Sequence, residues 1–442
     1  MKLDNKRVIL VGFAFFSICC FWQMYDNVIP LILKYDFSVG DTLAGVVMAL
    51  DNVLALFLLP LFGRLSDRTD TKIGRRKPFI LAGTFCACAL MLLLPLARKL
   101  GSLPMFFTTL MLVLIAMSVY RSPAVALMPD VTPKPLRSPA NAIINLMGTV
   151  GGVLALLTMN FLMPSIPKTA DDAQKTAIYQ GFNYFPVFLI VMAVMLAAAL
   201  VLIFRVDEPK LRAKAAEENR RLGVGAETET EATGGGRLPR EVFRSLILLL
   251  CSVSLWFMGY NAITSAFSKY AVSYLNMGNY SLPLLIANGA ALAAYIPVGI
   301  AASRFGRKKT ILAGVIMLAA AFFGAQFVTA ATATGPYMII CLALAGIAWA
   351  TINVNSYPMV VEMARGADTG KYTGFYYTFS MGAQILTPIL SGAVMEHLGY
   401  RWLFPYAVVF VCLSFCTMLL VKHGDSRPQP SARKLNAFDV ED

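Results

Sequence analysis

The chain has 442 residues, of which 57% are hydrophobic and 14% charged, against the roughly 45–50% apolar share of an ordinary soluble protein. That balance excludes a soluble globular domain and predicts an all-α polytopic membrane protein. The formal net charge of +13 would suit nucleic acid, but the cations sit in short loops between apolar runs and no aromatic-interleaved basic groove is present, so nucleic-acid binding is set aside.

Counting apolar stretches against the roughly 20 residues that a spanning helix needs gives twelve transmembrane helices, at 8–33, 42–65, 79–97, 104–127, 141–163, 182–205, 244–275, 282–303, 310–330, 336–360, 372–395 and 402–421. The first follows Lys2, Lys6 and Arg7 and starts like a secretory leader. Its apolar run continues through Leu33 without a small-residue cleavage site, so it is read as an uncleaved span. Cationic loops stay on the cytoplasmic side of a membrane. Arg64, Arg68, Lys72, Arg75, Arg76, Lys77, Lys134, Arg137, Arg304, Arg307, Lys308, Lys309, Arg365 and Lys371 fall on one side, whereas the other holds Lys34, Arg98, Lys99, Lys168, Lys175 and Arg401, with Lys269 nearby. Both termini are therefore expected in the cytoplasm, in a multi-pass plasma-membrane protein.

The second half repeats the first. Trp22, Met24 and Asn27 fall on Trp256, Met258 and Asn261; Asp51, Pro60 and Ser66 on Asn288, Pro297 and Ser303; Gly74 and Arg75 on Gly306 and Arg307; and Asp130 on Glu362, all at offsets between 232 and 237. Residues 80–83 and 311–314 are both Ile-Leu-Ala-Gly. The expected domains are an N-terminal six-helix bundle (1–205), a flexible cytoplasmic linker (206–243), a C-terminal six-helix bundle (244–421) and a cytoplasmic tail (422–442). An even number of spans in each half makes the two repeats parallel.

The loop after span two reads Gly63-Arg64-Leu65-Ser66-Asp67-Arg68-Thr69, then Gly74-Arg75-Arg76-Lys77-Pro78-Phe79, with a shortened copy from Ser303 to Lys309. It resembles the corresponding loop of the major facilitator superfamily, and its long form is similar to the glycoside-pentoside-hexuronide:cation symporters and the related sucrose carriers. The resemblance implies the major facilitator fold, a substrate near the midplane between the halves, and a cytoplasmic gate. Gly63 permits close helix approach, while Asp67, Arg68, Gly74, Arg75 and Arg76 are read as gate residues. Asp130 with Arg137, and Glu362 with Lys371 and Arg307, would complete the ionic network. The alternative is that the cations only anchor topology.

A carboxylate at the centre of a span costs about 2.5–3.5 kcal/mol, so it faces a partner or a watery cavity. Asp26 in span one and Asp51 in span two qualify, and the lengths of their spans place them at similar depths. They are the candidates for cation coupling. The resemblance to sodium-using members stops short here, because their two span-two aspartates fall at Ala55 and Leu59; the proton-coupling aspartate of plant sucrose carriers falls at about Leu114. H⁺ is therefore expected ahead of Na⁺. Arg121 in span four is a candidate for a sugar hydroxyl, an anionic group or a carboxylate, with snorkelling to the interface as the alternative.

Trp22, Gln23 and Asn27 on span one, and Trp256, Tyr260 and Asn261 on span seven, are the further substrate candidates. Aromatic faces pack on sugar C–H surfaces and planar amides meet vicinal hydroxyls; the same residues can equally be interhelical packing. The expected function is cation-coupled symport of a sugar or glycoside by alternating access, and the rival is a proton-driven exporter of drugs or metabolites. The eight cysteines lie in apolar spans without a CxxC pair, and His397 and His423 are the only histidines. With no Ser-His-Asp set, phosphate loop or metal cluster in the sequence, neither enzyme chemistry nor a metal or other cofactor is expected. The partners are a small-molecule substrate and the lipid bilayer, and a monomer is expected.

Overall fold

A computed structural model describes residues 4–133, 136–164, 166–221, 239–333, 335–363 and 369–425. Every described regular element is helical, as lipid requires: it offers no partner to a backbone N–H or C=O, and a helix satisfies both internally. In chain order they are α1 (Asn5–Leu31), α2 (Asp41–Arg68), α3 (Lys77–Met91), α4 (Leu93–Lys99), α5 (Leu103–Val131), α6 (Arg137–Leu162), α7 (Asp172–Gly181), α8 (Phe185–Arg205), α9 (Glu208–Arg221), α10 (Arg240–Ser273), α11 (Ser281–Phe305), α12 (Arg307–Ala325), α13 (Pro336–Met363), α14 (Thr369–His397) and α15 (Leu403–Leu419).

Among the described residues 12 helical stretches are long and apolar enough to cross a membrane, with α3 and α4 together forming the third. Hydropathy reads several ends short, since α1 starts at Asn5, α5 runs to Val131 and α10 starts at Arg240, and it reads the end of α12, at Ala325, long. The short readings have a physical reason. Apolar content marks the stretch that lipid surrounds, whereas the helix itself continues through charged flanks such as Lys6, Arg7, Asp130 and Glu241.

The chain divides into two compact units, one of Met1–Val39, Leu50–Ser165 and Asp171–Ala226, the other of Gly40–Ala49, Ile166–Ala170 and Glu227–Asp442. Inside the first, α1 packs on α6 and α8, and α3 on α5 and α8; inside the second, α10 packs on α14 and α15, and α12 on α13 and α15. These are the same pairings, counted by span. The repeated Ile-Leu-Ala-Gly ends in a repeated contact: a Cβ on Gly83 would lie 2.9 Å from the carbonyl oxygen of Ala116 in α5, and one on Gly314 3.1 Å from that of Ala348 in α13. A side chain at either position would push the helices apart.

Two features depart from a division at the linker. Helix α9, the charged start of the linker, belongs to the first unit: Arg7 donates to the Leu211 carbonyl at 3.0 Å. The first turns of α2 cluster with the second unit, while its remainder stays with the first. The Glu-Thr repeat and triple glycine of the linker, the tail beyond Asp425, Lys134, Arg365 and the side chain of Lys371 lie outside the described residues.

Candidate functional site

In the first unit, Trp22, Gln23, Asp26 and Asn27 occupy consecutive turns of α1, Asp51 stands on α2 and Arg121 on α5. Asp26, Asp51 and Arg121 lie within electrostatic range of one another. The Arg121 guanidinium sits 5.6 Å from the Trp22 ring centroid, a distance at which a cation is attracted to the face of an indole. Trp22 is held in turn by edge contacts with Phe21 at 5.1 Å and Tyr25 at 5.3 Å. Asn52 donates to Asp51 Oδ1 at 2.7 Å. Asn27 donates to the Gln23 carbonyl at 2.9 Å and to Gln23 Oε1 at 3.3 Å, and Gln23 packs where α6 has Gly152. The cluster therefore joins two acids, one cation and an indole on three helices.

In the second unit Trp256, Tyr260 and Asn261 share α10, but their surroundings differ. Trp256 is fully enclosed, at 0% exposure. Tyr260 is half-buried and stacks flat on Trp349 of α13, with centroids 3.8 Å apart and planes 4° apart, and Phe257 meets the same indole edge-on at 5.1 Å. Trp349 escaped the sequence reading. Its signal was available: it is one of 4 tryptophans, and it stands mid-span where an interfacial anchor would not. Asn288, on the position that answers Asp51, donates to the Leu284 carbonyl one turn back. Four of the substrate candidates keep a buried polar atom with no hydrogen-bond partner among the described residues: Trp22 Nε1, Asn27 Oδ1, Trp256 Nε1 and Asn261 Nδ2. Such atoms are uncommon in folded proteins and call for a partner.

The basic loop of the first unit is a connected ionic cluster. Asp130 receives Arg75 at 2.9 Å and Arg76 at 2.8 Å. Arg76 also pairs with Asp67, donates to Ser66 Oγ at 2.5 Å and reaches the Gly63 carbonyl at 3.3 Å. A Cβ on Gly63 would stand 3.0 Å from Ser122 Oγ, whose hydroxyl donates to the Leu59 carbonyl, so the close approach is to α5. Arg68 is exposed in the last turn of α2. Arg137 bonds the Pro129 carbonyl at 2.9 Å rather than the Asp130 side chain.

The sequence reading missed the residue on which this loop turns. Glu208, 1% exposed, accepts the backbone N–H groups of Arg75, Arg76 and Lys77 at 2.9, 3.0 and 2.9 Å. It thereby caps the start of α3 from the start of α9, where bare N–H groups and the helix dipole favour an anion. Lys77 Nζ donates to the carbonyls of Ile203 and Val206 that end α8. Gly74 holds φ of +114°, open to glycine and costly to other residues, and a Cβ there would strike the Glu208 carboxylate.

The second unit builds the same joint with fewer bonds. Arg307 pairs with Glu362, Lys308 N–H donates to Asp425 Oδ1 at 3.0 Å, and Lys308 Nζ donates to the carbonyls of Leu419 and Val421. Gly306 has φ of +91°, and a Cβ there would meet the Asp425 carboxylate at 3.0 Å. At the opposite end of this unit, Asp41 lies 3.0 Å from Lys269 Nζ and accepts the Tyr400 hydroxyl at 2.6 Å. Both charged side chains are nearly enclosed, at 10% and 4% exposure.

Comparison with known proteins agrees with this architecture. Among curated relatives, an MFS-type transporter, ppz2 of Metarhizium majus (strain ARSEF 297), is 23% identical over 219 residues, 49% of this chain and 37% of its own length. The sucrose transport protein SUC4 of Arabidopsis thaliana is 28% identical over 175 residues, 36% of this chain and 34% of its own. The chain thus aligns with little more than a third of either relative's length. The inward-open structure of the xylose transporter XylE from E. coli has a TM-score of 0.68 at 14% identity, over 96% of both chains, a likeness of fold. The model of the Major Facilitator Superfamily matches residues 11–296 and 279–440, and the chain belongs to that superfamily of membrane transporters.

Proposed function

We propose that the chain is a secondary active transporter that couples the uptake of a sugar or glycoside to H⁺, in preference to Na⁺, by alternating access. The observation that carries this reading is the charge count of the first-unit cluster. Two carboxylates, Asp26 and Asp51, share one cation, Arg121, inside spans where an unbalanced charge is expensive. One proton balances the set, and an acid so placed has a reason to take up a proton together with a cargo. Arg121 over Trp22, with the unpartnered amide and indole atoms of Asn27 and Trp22 nearby, offers a ring face and polar groups for hydroxyls. In the second unit, the Tyr260–Trp349 stack and Asn261 offer the same chemistry. The similarity to a sucrose transport protein supports the sugar class. The excess of Lys and Arg in alternate loops supports a cytoplasmic side for those loops and for both termini, in a plasma-membrane protein.

The test is uptake of a radiolabelled glycoside panel into proteoliposomes, with a pH gradient, a sodium gradient or neither. Accumulation driven by the pH gradient is expected, with Asp26→Asn and Asp51→Asn each reduced to equilibration. Accumulation that persists in both variants overturns the coupling role. A pH gradient without effect on any glycoside overturns the proposal.

A further inference from the structure

At the basic end of the first unit, the start of α1, the end of α8 and the start of α9 border an open cavity of about 150 Å³. That is roughly ten times the space a single water needs. Three cations line it, Lys6, Arg7 and Arg205, against an apolar wall of Leu10, Val206 and Leu211. Asp4 also borders it, but its carboxylate already accepts the Arg7 N–H at 3.2 Å. Arg7 is only 9% exposed, yet its guanidinium is incompletely matched. One nitrogen donates to the Leu211 carbonyl, another lies 3.9 Å from Glu218, and Nε has no hydrogen-bond partner among the described residues.

A buried cation short of partners, beside a cavity that two exposed cations also line, is a site for an anion. The first turn of α1 adds the positive end of its dipole. The apolar surroundings identify the anion's source. Phe204, beside Arg205, is 76% exposed, and Ile9 is 41% exposed, so apolar side chains present themselves to lipid next to the cationic cavity. We propose that this cavity binds the phosphodiester headgroup of an anionic phospholipid, with its acyl chains along Ile9 and Phe204. Bound there, the lipid bridges α1, α8 and α9, and it steadies the helix that carries Glu208. The inference is independent of the cargo.

The experiment uses the full chain purified in detergent, with retained lipid counted by native mass spectrometry and the unfolding temperature followed on adding phosphatidylglycerol, phosphatidylcholine or inorganic phosphate. Phosphatidylglycerol is expected to stay bound and to raise the unfolding temperature, with phosphatidylcholine and phosphate inert. Lys6→Gln with Arg205→Gln removes two exposed cations, and about 25-fold weaker phosphatidylglycerol binding is expected from the usual contribution of a cation near an anionic surface. Arg7→Gln should weaken binding further where it folds; the exposed pair keeps the test decisive where it does not. Equal phosphatidylglycerol binding by wild type and the double variant overturns the site. Stabilisation by phosphate alone, or equal retention of phosphatidylcholine, overturns the anionic lipid as its occupant.

Discussion

The two basic joints are the same device built at different strength. In each, a glycine with positive φ lets the chain fold back on an acid that follows the unit's last span, a lysine plugs the carbonyl end of that span, and an arginine meets an acid at the end of the fourth. The first joint gives its capping acid three N–H groups and its span-end acid two arginines; the second gives one of each. Asp67 and the Arg68–Lys72 insertion exist in the first alone. Duplication preserved the plan of the joint, and divergence moved its ionic weight to one side.

Three pairs of substitutions and one single change probe this inequality, with stability read from thermal unfolding of the purified chain in detergent. Glu208→Ala strips three buried N–H groups of their acceptor and should cost about 3–5 kcal/mol, whereas Asp425→Ala removes a single-bond cap and should cost about 1 kcal/mol. Equal losses would make the joints equivalent. Asp130→Asn leaves the enclosed Arg76 short of its main counter-charge, at about 3 kcal/mol; Glu362→Gln, at a more solvated pair, should cost nearer 1 kcal/mol. Gly74→Ala and Gly306→Ala both meet a backbone penalty of about 1–3 kcal/mol, with the first the larger because its Cβ closes on a carboxylate. Asp67→Asn is the smallest in stability, under about 1 kcal/mol at a side chain 52% exposed. Its expected effect is on transport rate and on cysteine accessibility at the two membrane faces, and an unchanged value of both removes Asp67 from the gate.

The fold was largely legible, because lipid forces a span to declare itself as a long apolar run and the repeat offsets then pair the halves. The Asp130 and Glu362 clusters were legible for the same reason. Glu208 and Asp425 were not, since they open stretches whose many charges look alike until one is seen to cap a helix. Trp349 was hidden inside an apolar run that hydropathy treats as uniform. Arg137 illustrates the converse: its spacing from Asp130 suggests an ion pair, but the Pro129 carbonyl, in the last turn of α5 and four residues before Pro133, has no helical N–H to accept, and the guanidinium takes it instead.

The first turn of α2 bears on how the chain can be divided. A cut in the linker, the obvious place to express the halves separately, severs Asp41 from Lys269 and Tyr400. Each fragment alone would then carry a charge shaped for a partner encoded on the other gene piece. Removing one member of such an enclosed pair costs about 3–5 kcal/mol. Fragments 1–226 and 227–442 should therefore accumulate poorly apart and recover together, and Asp41→Asn in the first or Lys269→Met in the second should weaken that rescue. The duplicated sequence has two halves, but its electrostatics make them mutually dependent.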